Sequence, residues 1–168
     1  MPRNIEIKAR IESVANLVPA IAALADWGPE MISQDDTFFS CPHGRLKLRT
    51  FSARKGELIF YQRPDTPGPK ESSYVLSPTS EPDSLRTALT LACGAEGRVR
   101  KLRMLYLIGR TRVHLDEVEG LGSFLELEVM LDEGESAAIG EAIASDLLEK
   151  LGILPDSLVE GAYVDLLQ

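Results

Sequence analysis

Glu126 and Glu128 stand two residues apart in an alternating segment, so a strand over 123–131 would project both carboxylates from one face. Two carboxylates so placed can share one hard cation. The same phase gathers charge elsewhere. Arg45, Lys47 and Arg49 share one face of 44–51, and Lys101 and Arg103 share one face of 97–108. Arg110, Arg112, His114 and Asp116 alternate with Val113 and Leu115, and Glu6 and Lys8 alternate with Ile5 and Ile7. Such a set suits a polyanion: Arg offers phosphate a fixed fork and Lys a mobile point charge. Glu6 and Asp116 offer further oxygen ligands beside Glu126 and Glu128. Mg2+ or Mn2+ matches such hard donors, with phosphate oxygens completing the shell.

The elements that must position these residues follow from periodicity. Strict alternation makes 3–12 a strand, and Val14, Leu17, Val18, Ile21 and Leu24 predict a helix over 13–27, capped by Ser13 and stopped at Gly28-Pro29. Strands are expected at 31–40, 44–51, 57–63 and near 72–76, with a loop at 65–69. A second helix, 82–93, precedes strands at 97–108, 111–118 and 123–131. A third helix runs over 137–151, and the tail 156–168 adds a helical turn and a docking segment at 162–167. The expectation is an α+β chain whose strands are mostly sequential and antiparallel, and eight strands can close.

Closure decides where the charged faces go. On an open sheet they would sit in water. Three helices with apolar faces, however, need an apolar sheet surface to cover. If they cover the outside of a closed barrel, the charged phase becomes its interior. Buried charges there cost several kcal/mol each unless paired or solvated, and a triphosphate with a divalent ion is their natural counterpart.

Composition narrows the alternatives. The chain has 168 residues with 18 basic and 26 acidic side chains, a net charge of −8, which argues against a general nucleic-acid binder. The charge is divided: residues 1–112 hold 17 basic and 12 acidic residues (+5), whereas 113–168 hold Lys150 against 14 acidic ones (−13). Cys41 and Cys93 form no metal or disulfide motif and are expected to be buried thiols in a reducing compartment. No signal peptide, membrane-spanning run or P-loop is visible, so a cytoplasmic protein is expected.

Asn4-Ile5-Glu6-Ile7-Lys8 resembles the ExExK signature of the CYTH family, the triphosphate tunnel metalloenzymes. The likeness continues through 34–39, 44–49, 110–118 and 124–128, nearly the whole chain in order. It implies one domain over 1–168: an eight-stranded antiparallel closed β-barrel with helices packed outside, binding a triphosphate and one or two divalent ions. Residue by residue it implies Glu6, Asp116, Glu126 and Glu128 as metal ligands. It implies a phosphate clamp of Lys8, Arg45, Lys47, Arg49, Arg63, Lys70, Lys101, Arg103, Arg110 and Arg112, with Lys8, Arg63 and Arg112 as its catalytic members. Asn4 departs from the signature, standing where the family usually has its first Glu. Phe38-Phe39 lacks a Tyr often found there.

The expected activity is metal-dependent hydrolysis of inorganic, thiamine or nucleoside triphosphate. The alternatives are a class IV-type adenylyl cyclase, making cyclic AMP and pyrophosphate from ATP, and a non-catalytic polyphosphate- or nucleotide-binding module. His114 shares the charged phase and reads either as a contact to phosphate or metal-bound water, or as a histidine satisfied by a carboxylate. Neither a nucleic acid nor a membrane is an expected partner. The acidic surface of the last third is compatible with a homodimer.

Overall fold

The alternating segments form eight antiparallel strands that close on themselves, in a computed structural model describing residues 1–168. In chain order the elements are β1 (Arg3–Arg10), α1 (Val14–Leu24), β2 (Trp27–Phe39), β3 (Arg45–Ser52), β4 (Lys55–Gln62) and β5 (Lys70–Thr79). These are followed by α2 (Pro82–Cys93), β6 (Ala95–Ile108), β7 (Thr111–Val118), β8 (Gly122–Met130), α3 (Ala137–Lys150) and α4 (Tyr163–Leu166). Around the barrel the order is β1-β5-β4-β3-β2-β6-β7-β8, and β8 pairs with β1 to close it.

The apolar phase faces outward, where helices cover it. Ile5, Ile7, Val113, Leu115, Leu125, Leu127 and Val129 are almost fully buried and form one cluster with Val14 and Ile21 of α1 and Ala144, Leu147 and Leu148 of α3. Each such side chain contributes roughly 1.5–3 kcal/mol through removal from water. Gly140 lets α3 lie close to the sheet: a Cβ there would come within 2.5 Å of Ile5 Cγ1. Ser13 and Ser136 cap α1 and α3, accepting from the Asn16 and Ala138 amides at 3.2 Å. No helix is long and apolar enough to cross a membrane.

A second cluster seals one end of the barrel. Phe38, Val99, Phe124 and Tyr61 meet Ala162, Tyr163 and Val164 of the C-terminal segment, with Phe124 and Tyr163 edge to face at 4.9 Å. Arg45 holds that segment, donating to Asp165 at 2.6 Å.

Two expectations are corrected. The first helix ends at Leu24, and Trp27 is already strand, paired with Leu107. The Asp26 amide donates to the Leu107 carbonyl and its carboxylate accepts from the Gly109 amide at 2.6 Å, pulling the chain directly onto β6. Gly28-Pro29 then falls at a register shift inside β2 rather than at a helix stop. The cysteines are not buried thiols either: Cys93 is exposed at the end of α2, and Cys41 is half-buried in the β2–β3 turn.

Candidate active site

Closure turns the polar phase into the lining of a cavity of about 270 Å³. Register sets opposite charges directly across from one another. Lys8 lies opposite Glu126, Arg112 opposite Glu128, Asp36 opposite Arg49, and Arg103 opposite Asp116. Glu6 opposite Glu128 is the exception, placing two carboxylates together.

One side of the cavity is a cation cluster around a single carboxylate. Asp36, 1% exposed, accepts from Arg49 Nε and Nη2 at 2.8 Å each and from Lys101 Nζ at 3.1 Å, with Lys47 Nζ at 3.5 Å. Burial works against the carboxylate, but Arg49, Lys101 and Lys47 hold its pKa well below the usual range. The same burial, with the neighbouring Arg49, pushes Lys47 down to about 7, and Lys101 falls to about 8. These two ammonium groups give up protons readily, and a bound anion would restore them.

The other side is acidic. His114, Glu126 and Glu128 each offer a ligand atom, and the three atoms lie within 4.8 Å of one another. His114 Nδ1 is 3.3 Å from Glu126 Oε1 and 3.9 Å from Glu128 Oε1. Arg112 stands 3.0 Å from Glu128 and Lys8 3.9 Å from Glu126. Burial opposes the charge of Glu126, yet His114, Arg103 and Lys8 keep its pKa well below normal. Glu6 behaves differently. Burial, together with Glu126 and Glu128, raises it to about 7 despite Arg63 at 2.9 Å.

A divalent ion fits this acidic side. The donors converge, and Asn4 Oδ1 is buried beside the cavity with no hydrogen-bond partner in the protein. Glu126, Glu128 and His114 would hold the ion. Asn4 supplies no carboxylate.

Of the residues anticipated from sequence, Glu6, Lys8, Lys47, Arg49, Arg63, Lys101, Arg103, Arg112, Glu126 and Glu128 come together around the cavity. Four do not line it. Arg110 sits in the β6–β7 turn, bound to Glu135 at 2.6 Å. Arg45 holds Asp165, and Lys70 donates to the Thr66 carbonyl at 2.8 Å. Asp116 is fully buried with both oxygens engaged, by Arg103 at 2.8 Å each and by the Tyr163 hydroxyl, also at 2.8 Å. Its geometry makes it a support for Arg103.

Sequence reasoning assigns no role to Asp36 or Gln34 and leaves Tyr163, in the docking segment 162–167, either as simple packing or as a plug for one tunnel mouth. Asp36 shares the phase of Gln34 and Phe38, which was its available signal. Nothing local announces that Tyr163 reaches Asp116.

A closed antiparallel barrel with a charged, phosphate-sized interior and converging carboxylates is the architecture of a triphosphate tunnel. The CYTH domain family model matches residues 2–163, and the chain belongs to the CYTH family. It is 26% identical to the adenylate cyclase CyaB of Aeromonas hydrophila over 171 residues, covering 95% of this chain and 86% of that protein. Among solved structures it resembles the PH1012 protein of Pyrococcus horikoshii, with a TM-score of 0.87 at 22% identity, covering 98% and 99% of the two chains. It also resembles HpAC1 of Hippeastrum, an adenylyl cyclase by name with a dominant triphosphatase activity. That likeness has a TM-score of 0.67 at 16% identity and covers 96% and 91%.

Proposed function

We propose that this protein is a cytoplasmic, divalent-metal-dependent phosphohydrolase that binds a triphosphate in its tunnel. The observation that carries the reading is one cavity walled by the Asp36-centred cations on one side and by His114, Glu126 and Glu128 on the other. When bound, Mg2+ or Mn2+ would neutralise charge on the reacting phosphoryl group and fix its orientation. Lys47, Arg49 and Lys101 would exchange part of their contact with Asp36 for phosphate oxygens, with the two lysines taking up protons as they do so. Lys8, Arg63 and Arg112 stand among the acidic residues, where they would stabilise charge growing on the leaving oxygen. Glu6, with its pKa near 7, is suited to accept a proton from the attacking water at neutral pH. The triphosphatase activity named for HpAC1 supports hydrolysis.

A specific feature favours a second reading. Ile32, Phe51, Leu76 and Leu105 line the cavity toward the end opposite Tyr163 and give that mouth an apolar rim. An organic group such as adenine would fit such a rim, and the CyaB relative carries the cyclase name.

Phosphorus NMR of the products tests both. The protein would be given inorganic triphosphate, thiamine triphosphate and ATP, each with Mg2+ and with Mn2+. Orthophosphate release is expected, lost in the Glu126→Gln/Glu128→Gln double variant while circular dichroism shows that the variant still folds. Cyclic AMP with pyrophosphate would establish the cyclase instead, and tight binding with no product would establish a binding module.

A further inference from the structure

His114 brings the one imidazole to the acidic side of the cavity, and it is out of place in a site built only for Mg2+. Its side chain is 5% exposed and lines the tunnel. It stands directly opposite Glu126 across the β7–β8 pair, and Glu128 lies two residues further along β8 on the same face. Around an octahedral ion with bonds of about 2.1 Å, neighbouring ligand atoms lie roughly 3 Å apart, and tetrahedral sites are only slightly wider. The Nδ1 separations of 3.3 and 3.9 Å from the two glutamates are close to such an edge. Position 4, two residues from Glu6 on the same face of β1, supplies a neutral amide whose buried Oδ1 has no protein partner. The donor set is thus short of one carboxylate and enriched by one imidazole.

Building on the metal-dependent reading above, we infer that His114 ligates the ion directly and that the centre selects a nitrogen-accepting divalent transition ion, Mn2+, Co2+ or Zn2+, over Mg2+. Imidazole raises affinity for these ions in the order of their preference for nitrogen, whereas Mg2+ gains little from it. Asn4 works in the same direction, since it withholds the negative charge on which a purely electrostatic Mg2+ site depends.

Binding can be measured without turnover. Pulsed EPR of Mn2+ on the full chain should show direct nitrogen coupling, and the assignment is clean because the only other histidine, His43, is exposed in the β2–β3 turn. His114→Gln should abolish that coupling. By calorimetry it should weaken Co2+ at least about tenfold while changing Mg2+ by less than about threefold. His114→Asp, which keeps a ligand but removes the nitrogen, should reverse the preference between Co2+ and Mg2+. Nitrogen coupling absent from the wild-type Mn2+ complex, or surviving in His114→Gln, overturns the inference and leaves a carboxylate-only metal enzyme standing. Failure of any divalent ion to bind, with or without triphosphate, overturns both readings.

Discussion

Every strand of β1, β7 and β8 has two faces, and the faces are held together by opposite physics. Outside, Ile5, Leu115, Leu125, Leu127 and Val129 pack under α1 and α3, where stability comes from area removed from water. Inside, the alternate residues are largely buried but charged, and they persist because they are paired: register sets Lys8 against Glu126 and Arg112 against Glu128, and Arg63 holds Glu6. The outer face tolerates change in proportion to volume. The inner face responds to whether a charge is left alone. A barrel can therefore keep a costly interior, provided its exterior is a conventional core.

Breaking one charge set should show this most strongly. Asp36→Asn leaves Lys47, Arg49 and Lys101 facing each other without their shared carboxylate and should cost about 3–5 kcal/mol in denaturant unfolding. Inorganic triphosphate should then raise the melting temperature of the variant more than that of the wild type. On the outer face, Leu127→Ala should cost roughly 2–5 kcal/mol, and no anion should restore it preferentially.

The third outcome concerns pH. Lys47, held near 7 rather than its ordinary 10.5, is largely neutral above that value in the folded protein while the unfolded chain still binds the proton. Its contribution to stability therefore rises with pH between about 7 and 10.5. Triphosphate affinity should move the other way, falling as pH rises through 7, because the anion favours the charged ammonium. Lys47→Arg should move the onset of that fall up toward 8, where Lys101 and Lys8 titrate, and comparison with wild type at each pH cancels the titration of the ligand itself. The smallest effect is expected at the barrel surface. Arg98→Ala removes a bidentate pair with Asp35 at 2.7 Å, yet with Arg98 44% exposed the loss should stay within about 1 kcal/mol by thermal melting.

Strand phase made most of this arrangement legible from sequence, because a two-residue period assigns every side chain to one face before any contact is known. It placed Lys47 with Arg49, and Glu126 with Glu128, on the cavity side. It could not distinguish His114 from Asp116, which share a face. Pairing across strands decides that Asp116 meets Arg103 and Tyr163 while His114 meets Glu126, and register is set by the whole barrel. Arg110 misled for a related reason: the alternation that holds for Arg112 stops at the Gly109-Arg110 turn. Trp27 was lost because a neighbouring strand claimed it against its helical flank.

With Tyr163 and Ala162 lying across one end and Lys8 Nζ donating to the Gly161 carbonyl beneath them at 3.1 Å, the barrel is a well rather than a pipe. For a triphosphate hydrolysed there, as proposed, traffic would be last in, first out. Whatever fragment formed nearest the floor would wait for everything above it to leave.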